Sequence, residues 1–585
     1  MTESRLTADT RKRALARLAA STVAGEELDV LVIGGGVTGA GIALDAVSRG
    51  LSTAVVEAQD WAAGTSSRSS KLVHGGLRYL QMLDFKLVLE ALKERDLLLT
   101  EIAPHLVRPL PFLYPLRHRV FERAFVGAGI LLYDLLATIR TGKRALPFHR
   151  HLSRRGLAAA FPDFAKSAAV GAIEYWDANV DDARLVLTVM RTAASYGAHA
   201  ASRTQVVELT KNAAGAVDGA VLTDLETGKT FPVKAKTVIS STGVWTEESQ
   251  SLADDKGGLR VLASKGIHIV VPRERITGTP GLILQTSKSV LFVIPWSRYW
   301  VIGTTDTPWN EDLMNPVATA ADIDYVLAEA NKVLARPISR DDIIGTWAGL
   351  RPLLQPGTKE GTQSAQVSRE HTVASPVPGL VSIAGGKFTT YRIMARDAVD
   401  FALGERAKKV PSVTMTIPLE GAHGFLTAEH ELASVIETLG WDKAITDHLF
   451  HRYGANIRDI AELAQADPTA AAPLEHAPAY LRAEIVYAIT HEGALHLDDL
   501  MMRRTRLVYE YVHEATDALP EVAEIAKAAL GWSDKQTARE IDLYRKRAAA
   551  DAMAALQPDD ASASRERDKA EEIVPMIDLP ARASR

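Results

Sequence analysis

Residues 29–50, DVLVIGGGVTGAGIALDAVSRG, constrain the fold of this 585-residue chain more than any other stretch. DVLVI predicts a short buried strand, and the segment after it carries apolar residues at helical spacing up to Gly50. Gly34, Gly36 and Gly39 fit G-x-G-x-x-G, in which the glycines permit a tight turn, the approach of a pyrophosphate and close helix packing. The helix N-terminus offers free N–H groups to phosphates. This order predicts a strand–turn–helix unit that binds a dinucleotide.

A second predicted strand, LSTAVVEA, ends in Glu57, which lies 23 residues after Gly34. An acidic residue at that distance is well placed to accept hydrogen bonds from the hydroxyls of an adenosine ribose. A lone G-x-G-x-x-G has a simpler interpretation as a Gly-rich turn. The strand, the helix and the acidic residue together favour a dinucleotide site, but this pattern leaves NAD and FAD undecided.

Composition excludes several other classes of protein. The chain has no cysteine, which excludes disulfides, thiolate nucleophiles and Cys-ligated clusters. Its net charge of -5 gives no basic footprint, so we expect no nucleic-acid partner. There is no H-E-x-x-H motif and the 16 histidines form no recognisable ligand set, so we expect no metal. Arg17 interrupts the only apolar core near the N-terminus, which predicts an intracellular protein without a secretory signal.

Two later segments repeat the order of strand, glycine and helix. KTVISSTGVW (236–245) predicts a strand running into Gly243, and GLVSIAGGKFTTYRIMARDAVDFAL (379–403) predicts a strand, a Gly-Gly turn and a helix. This arrangement resembles flavoproteins of the glutathione reductase and amino-acid oxidase type, and the resemblance selects FAD. Reduced flavin carries negative charge at N1/O2, which a helix N-terminus stabilises. We therefore expect Gly386, Lys387, Thr389 and Thr390 beside the flavin, with a Gly-capped turn of an unrelated helix as the alternative.

The segment after Glu57, AQDWAAGTSSRSSKLVHGGLRYLQMLDFKLVLEALKERDLLL, has the most specific pattern in the chain. With VDDARLVL, KGIHIVVP, FVIPW, IGTTD, GLRPLL and GGKFTTYR, it closely resembles FAD-dependent sn-glycerol-3-phosphate dehydrogenase of the respiratory, NAD-independent type. The resemblance runs in order from about residue 28 to 400 and continues more weakly beyond. It departs at Ser241, where Ala is usual, and at Phe388, where Leu is frequent.

The resemblance implies an α/β fold with three parts. A Rossmann-like FAD-binding domain of the glutathione reductase/amino-acid oxidase type contains an inserted antiparallel-sheet substrate domain, and a C-terminal helical domain follows. We expect an N-terminal extension at 1–27, interleaved domains at 28–404, the helical domain at 405–556 and a polar, mobile tail at 557–585. Within 28–404 the FAD parts are about 28–105, 180–250 and 340–404, and the substrate parts are about 106–179 and 251–339.

Seven residues that are cationic or titrate near neutral pH stand in otherwise apolar or Gly-rich segments: His74, Arg78, Lys265, His268, Arg351, Arg369 and Lys387. Buried cations need partners, and a phosphate dianion satisfies several at once, with arginine as the preferred bidentate contact. For each of them a structural role is the alternative: a buried Arg paired with a carboxylate, or a His satisfied in the core. The resemblance carries Arg78 with its neighbour Tyr79, Arg351 and Lys387 to the substrate pocket.

The implied reaction is the oxidation of sn-glycerol 3-phosphate to dihydroxyacetone phosphate, with a hydride passing from C2 to the flavin. A base must lie within hydrogen-bond reach of the C2 hydroxyl. We expect His268 in that role because its reference pKa is close to neutral. Arg351 would polarise the forming carbonyl and anchor the phosphate.

Further contacts to the cofactor are expected from five residues. Thr65, Ser66 and Ser67 in TSSRSSK supply hydroxyls beside the flavin, with helix or loop capping as the alternative. The resemblance puts a backbone group of Val207 against the adenine. It also adds Asp306 of IGTTD to the cofactor site.

Residues 108–144 contain seven Lys/Arg and two acidic residues, with the basic residues flanking an uncharged run from Ala124 to Tyr133. An uncovered helix of this kind lies in the bilayer interface, with its apolar face among acyl chains and its arginines at anionic headgroups. We therefore expect peripheral attachment to the inner face of the cell membrane and a quinone as electron acceptor. A helix packed on the protein's own core is the alternative.

Three other functions stay open at this stage. One is a glycerol-3-phosphate oxidase that passes electrons to oxygen, which the sequence does not separate from a quinone-dependent dehydrogenase. The others are an FAD-dependent amino-acid or amine oxidase and a flavin-binding or membrane scaffold without catalysis. A homodimer is a further candidate assembly, and the oligomeric state stays open.

Overall fold

The computed structural model describes residues 4–77, 84–138, 145–253, 259–286, 290–355 and 370–579. The strands in these ranges are β1 (Leu28–Ile33), β2 (Thr53–Val56), β3 (Leu72–Val73), β4 (Arg108–Leu116), β5 (Arg150–Ser153), β6 (Gly171–Asn179), β7 (His199–Ala201), β8 (Thr204–Lys211), β9 (Val217–Asp224), β10 (Lys229–Ser240), β11 (Val261–Pro272), β12 (Gly281–Gln285), β13 (Val290–Trp296), β14 (Tyr299–Gly303), β15 (Thr307–Pro308), β16 (Gly345–Leu354), β17 (His371–Ala374), β18 (Leu380–Gly385), β19 (Pro473–Leu474) and β20 (Ala477–Leu481).

The helices in the same ranges are α1 (Ala8–Ala20), α2 (Val37–Ser48), α3 (Phe85–Leu97), α4 (Phe121–Thr138), α5 (Arg154–Ala160), α6 (Asp182–Ser195), α7 (Thr246–Ser251), α8 (Ala320–Asn331), α9 (Tyr391–Leu403), α10 (Phe425–Glu431), α11 (Ala433–Thr438), α12 (Lys443–Tyr453), α13 (Ile457–Ala466), α14 (Arg482–Thr490), α15 (Leu507–Glu510), α16 (Leu519–Leu530), α17 (Asp534–Ala554) and α18 (Asp560–Arg567).

The first sheet has the strand order β17-β18-β10-β1-β2-β7, with β8 and β9 continuing from β10 as an antiparallel meander. β1 pairs in parallel with β10 and β2, and β18 pairs in parallel with β10. β1, β10 and β18 are the strands predicted before the three Gly-rich turns, and β2 is the strand predicted to end in Glu57. Their carboxyl ends therefore meet at one edge of the sheet, which is where an open α/β sheet binds its ligand.

Alternate residues of β1 pack into two different cores. Val30 and Val32 lie in a cluster with residues of α2, α6 and α9, whereas Leu31 and Ile33 pack with α1 and the meander. The part of a strand that is buried on both faces has to be apolar, as Val30 to Ile33 are. Burial of each such side chain contributes about 1.5–3 kcal/mol. The expected N-terminal extension is part of this fold, since α1 covers one face of the sheet.

The second sheet forms the substrate domain and runs β15-β11-β14-β13-β12-β4-β6-β3, with β16 paired to β11 and β5 paired to β6. The predicted start of the last FAD part, at about residue 340, is wrong. β16 pairs along ten residues with β11 and so belongs to the substrate sheet. A strand that contacts the nucleotide domain at its end and the substrate sheet along its length gives no local signal of which it joins.

The C-terminal region is helical, as predicted, with two apolar clusters built mainly from α10–α14 and from α14–α17. The mobile tail expected from 557 is wrong for its described part. α18 begins with Asp559 as its N-cap, and Asp560 forms an ion pair with Lys265 of β11. Charges that look solvated in the sequence are paired with residues far away along the chain.

α4 covers the Ala124–Tyr133 run. Ile130 and Tyr133 are buried, whereas Phe121 and Phe125 on its outer face are 80% and 67% exposed. No helix of the described chain has the length and apolar character needed to cross a membrane.

Candidate active site

A cavity of about 260 Å³ lies at the carboxyl edge of the first sheet and is lined by the predicted Gly34, Gly36, Glu57 and Gly243. Gly34 has φ +108°, a region that favours glycine, and a Cβ on Gly39 would overlap the carbonyl oxygen of Gly34. Gly39 thus brings α2 against the turn without lining the cavity itself. These placements are the ones that the fingerprint assigns to its glycines. We call this space the nucleotide cavity.

Glu57 holds the backbone of the same turn. Its Oε2 accepts a hydrogen bond from the Gly35 N–H at 2.7 Å and its Oε1 accepts one from the Gln59 N–H at 2.7 Å. Burial raises the pKa of Glu57, and the two N–H donors oppose that rise. The carboxylate borders the cavity, where its contact with a ribose stays a prediction.

The three hydroxyls of TSSRSSK separate in the structure. Ser66 Oγ accepts from the Val37 N–H at 3.0 Å, at the start of α2, so the capping alternative holds for Ser66. Thr65 also lines the cavity and donates to the Leu350 carbonyl at 2.6 Å. Ser67 is buried against Gly64 and lies outside the cavity lining.

The late Gly-Gly turn separates the nucleotide cavity from a second cavity, and Gly386 and Lys387 line both. Gly386 has φ +83°. Thr389 Oγ1 accepts from the His74 N–H at 3.1 Å, and Thr390 Oγ1 donates to the Lys387 carbonyl at 3.3 Å. The two threonines therefore hold the turn in place rather than line either cavity.

Sequence reasoning missed one wall of the nucleotide cavity, which the C-terminal segment supplies through Met576 and Leu579. Gln205 of β8 fixes that segment with two hydrogen bonds. Its Nε2 donates to the Ile577 carbonyl at 2.8 Å and its Oε1 accepts from the Ile577 N–H at 2.8 Å. The only sequence signal for this contact was the presence of apolar residues such as Met576 and Leu579 in an otherwise charged tail.

Two predicted cofactor residues lie elsewhere. Val207 sits at an irregularity of β8, where the pairing passes from Val206 to Glu208, and Val206 lines the cavity instead. Asp306 lies in the second cavity, where its Oδ1 accepts from Ser264 and from Arg351 Nη1. The bulge and the long-range ion pair are both invisible in the linear sequence.

The second cavity, of about 290 Å³, brings together His74, His268, Arg351 and Lys387 from four separate segments. We call it the substrate cavity. It adjoins the nucleotide cavity along the Gly386–Lys387 turn. With Arg68, which the sequence analysis did not single out, five groups that are cationic or can be protonated converge here, as an anionic ligand requires.

Arg351 is held by polar contacts on β16 and the neighbouring loop. Nη2 donates to Thr304 Oγ1 at 2.9 Å and to the Thr305 carbonyl at 3.0 Å, and Nη1 lies 3.3 Å from Asp306 Oδ1. A Cβ on Gly266 would overlap the guanidinium. The glycine of KGIH therefore provides the space for this arginine.

His268 is 2% exposed, and its ring stacks on Trp347 with centroids 5.0 Å apart. Nε2 lies 2.9 Å from Ser70 Oγ. Burial, followed by the charges of Arg351 and Lys71, lowers the pKa of His268 well below 6.5. The expectation of an unperturbed pKa is therefore wrong: the ring is neutral at pH 7, which leaves it free to accept a proton but makes it a weaker base.

His74 is linked to a carboxylate that the sequence did not single out. Burial lowers the pKa of His74, while nearby Asp177 raises it and Lys387 lowers it. Asp177 Oδ1 accepts from Arg95 Nη1 at 2.8 Å and from the Tyr133 hydroxyl at 2.7 Å. Tyr133 belongs to α4, so this helix reaches the wall of the substrate cavity.

Lys265 does not reach the cavity. Its ammonium pairs with Asp322 at 2.5 Å and with Asp560. Lys265 and His268 stand three residues apart on β11, and odd spacing puts side chains on opposite faces of a strand. The predicted residues Arg78, Tyr79 and Arg369 lie outside the described residues.

The residues present fit an FAD. Gly34 and Gly386 supply the turns, and the first turn of α2 begins at the cavity, where Gly36, Val37 and Thr38 line it and only the Val37 N–H is bonded to Ser66 among these three in the described chain. Trp245, which lines the cavity, has a buried indole Nε1 without a hydrogen-bond partner among the described residues. Backbone around Gly34 and Gly36 would hold the pyrophosphate, and Gly386 and Lys387 would contact the ring system.

Comparisons with known proteins agree with this geometry. The profile of the family described as FAD dependent oxidoreductase matches residues 29–396, and that of the C-terminal domain of alpha-glycerophosphate oxidase matches residues 412–537. The chain therefore belongs to the FAD-dependent oxidoreductases, and its cofactor is FAD, as predicted.

Relatives define the family more narrowly. Glycerol-3-phosphate dehydrogenase 2 of Mycobacterium tuberculosis is 49% identical over 94% of this chain and 92% of its own length. Human mitochondrial glycerol-3-phosphate dehydrogenase is 37% identical over 89% of this chain and 73% of its own length. The X-ray structure of the Bacillus halodurans glycerol-3-phosphate dehydrogenase complexed with FAD has a TM-score of 0.74 at 29% identity, covering 93% and 97% of the two chains. This chain is a member of the FAD-dependent glycerol-3-phosphate dehydrogenase family, which confirms the resemblance and the predicted fold class.

Proposed function

We propose that the protein oxidises sn-glycerol 3-phosphate to dihydroxyacetone phosphate and passes the electrons to a membrane quinone. The assignment of this substrate rests on one observation: His74, His268, Arg351 and Lys387 converge beside the nucleotide cavity. The names of the relatives support the same substrate. Bound FAD supplies the hydride acceptor and the electron carrier.

His268 accepts the proton of the C2 hydroxyl in this proposal. The resting ring is neutral, and a phosphate dianion in the same cavity raises its pKa because negative charge favours the imidazolium. Arg351 donates hydrogen bonds to the substrate from a position fixed by Thr304 and Thr305. Lys387 contributes a cation from the turn that borders both cavities.

Anaerobic bleaching tests the substrate. We expect sn-glycerol 3-phosphate to remove the oxidised-flavin absorbance of the purified protein, while glycerol and D-amino acids leave it unchanged, since they lack the phosphate. Bleaching by an amino acid or an amine would assign the amine-oxidase alternative. Absence of bleaching by every candidate would favour a scaffold without catalysis.

The proposal of a membrane-bound acceptor rests on the outer face of α4. Phe121, Phe125, Leu131, Leu132 and Leu135 are between 37% and 80% exposed on one helix. Tyr133 on the inner face accepts from the Gly75 N–H at 2.8 Å, in the loop of His74 that lines the substrate cavity. A helix lying in the interface of the inner leaflet would put this cavity close to a lipid-soluble quinone.

Binding to anionic liposomes tests this part. We expect binding that weakens with salt, and release of the double variant Leu131→Asp/Leu132→Asp with its anaerobic bleaching intact. Leu426→Asp, on a side chain that is 82% exposed in α10, is the control and should stay bound. If the protein does not bind the liposomes, reduces no quinone and consumes oxygen rapidly, it is an oxidase and the proposal of a quinone acceptor fails.

A further inference from the structure

A third cavity, of about 100 Å³, lies behind the substrate cavity and between β16 and the C-terminal helices. Five arginines line it: Arg68, Arg203, Arg503, Arg547 and Arg567. Four acidic side chains share the lining: Asp498, Glu514, Asp551 and Glu572. We call it the arginine cavity. It has less than half the volume of the nucleotide cavity, so it suits a few waters or one small ion rather than a dinucleotide.

Arg68 is the cation in this cavity that lacks a partner. Its guanidinium makes no hydrogen bond or ion pair with any described residue. Burial lowers the pKa of Arg68, and the charges that act on it belong to Tyr509, Arg503, Asp551 and Arg567, which all line the arginine cavity. Arg68 is half-buried and faces both the substrate cavity and the arginine cavity, so an acceptor from outside the chain can reach its guanidinium.

Three further donors around the same cavity are unused. Arg203 Nε, Trp347 Nε1 and Arg547 Nη2 are buried and have no hydrogen-bond partner among the described residues. Arg203 already pairs with Asp499 at 2.7 Å, and Arg547 pairs with Asp551 at 2.7 Å. These donors therefore lack acceptor oxygens, and the carboxylates of the protein that lie nearest to them are already paired.

Glu514 adds to this demand. Its Oε2 makes no hydrogen bond, although it lies 3.3 Å from Arg547 Nη1. Burial raises the pKa of Glu514 to about 8, so at neutral pH the carboxyl is mostly protonated and can donate. Water satisfies such a site poorly, because each water that accepts must also donate two protons, and the nearby carboxylates are already paired.

We propose that the arginine cavity binds a tetrahedral oxyanion of the phosphate type, which accepts hydrogen bonds from Arg68, Arg547 and Trp347. Phosphate oxygens are the acceptors that arginine clusters recognise best. The site adjoins the substrate cavity, because Arg68 lines both cavities. Trp347, whose ring stacks on His268, lines the arginine cavity and not the substrate cavity.

Thermal unfolding of the holoenzyme in potassium phosphate, at ionic strength kept constant with KCl, tests the site. Arg351→Gln weakens phosphate binding in the substrate cavity, so a saturable rise of Tm that persists in this variant reports the arginine cavity. In Arg68→Gln/Arg351→Gln we expect the midpoint concentration to rise at least tenfold. Arg340→Gln/Arg351→Gln, which removes an arginine paired with Asp324 on the surface, is the matched control and should behave like Arg351→Gln.

Persistence of the same rise in Arg68→Gln/Arg351→Gln would overturn the proposal, as would its absence from Arg351→Gln. Arg68 lines both cavities, so Trp347→Phe/Arg351→Gln is measured in every case: phenylalanine keeps the ring and removes the Nε1 donor of a residue that lines the arginine cavity and not the substrate cavity. There we expect a threefold or larger rise of the midpoint, and an unchanged midpoint would contradict the proposal.

Two further titrations of Arg351→Gln identify the anion. Methyl phosphate with the same midpoint as inorganic phosphate would assign a phosphomonoester, whereas a response to inorganic phosphate alone would assign the free ion; both agree with the proposal. An equal response to potassium acetate would overturn the assignment of a tetrahedral oxyanion.

Discussion

The nucleotide cavity and the substrate cavity meet at Gly386 and Lys387, but the chain builds them in different ways. The nucleotide cavity is formed largely by backbone at the ends of β1, β10 and β18, and Glu57 binds N–H groups there. The substrate cavity is formed by side chains that stand within strands, such as His268 on β11 and Arg351 on β16. The first should therefore be sensitive to added atoms at its glycines, and the second to removed side chains.

The largest expected effect is that of one Cβ in the first region. In Gly39→Val the new side chain overlaps the carbonyl of Gly34, so α2 cannot pack and the purified protein should hold less than about a tenth of the normal flavin. The ratio of flavin to protein absorbance measures this. Gly129→Val, at a helical glycine with open space around it, is the control. Normal flavin content in Gly39→Val would refute the role of the backbone contact.

In the second region Arg351→Ala should have the opposite signature. Removing one preorganised donor from an active site typically costs about 10²–10³ in rate, so we expect kcat/KM to fall by about that factor while flavin content stays unchanged. Arg340→Ala, at an exposed pair with Asp324, should change kcat/KM less than about twofold. Loss of flavin in Arg351→Ala would mean that the two cavities are not independent.

A smaller effect is expected where the C-terminal segment covers the nucleotide cavity. Truncation after Ile573 removes Met576 and Leu579 and both hydrogen bonds of Gln205 to Ile577. The side chains of Met576 and Leu579 would each bury part of their apolar surface against FAD, which contributes on the order of 1 kcal/mol each, so the Kd for FAD should rise about ten- to thirtyfold. kcat at saturating FAD should be unchanged.

Truncation after Leu579 keeps both side chains and serves as the control for that experiment. Equal FAD affinities of the two truncated proteins would show that the segment touches the cavity without contributing to binding.

The sequence predicted what local order determines. Strand, turn and helix follow one another around Gly34. The candidate residues His74, Arg351 and Lys387, the last two supported by the resemblance, were predicted to lie in the substrate pocket. Alternation along β11 could have separated Lys265 from His268, since their spacing is odd. No local pattern could have paired Asp560 with Lys265, which lies almost three hundred residues away, or brought Met576 to the nucleotide cavity. Contacts of that range depend on the packed fold and not on spacing.

The smallest expected effect concerns pH: replacing His268 should leave the shape of the pH profile of kcat/KM unchanged. Burial, Arg351 and Lys71 lower its pKa well below 6.5, so the ring of the free enzyme is neutral at neutral pH and is protonated only at more acidic pH. kcat/KM reports the ionisations of free enzyme and free substrate, and a phosphate monoester ionises near pH 6. The plot of log kcat/KM should therefore be flat above about pH 7, bend downward near pH 6 and approach a slope of one below about pH 5, from the substrate alone. His268→Gln, although slower, should show the same slope. The natural protein could instead show a second step near pH 6.5 that is absent from His268→Gln. That result would mean that His268 titrates like an exposed histidine and that water enters the substrate cavity more freely than the burial of His268 indicates.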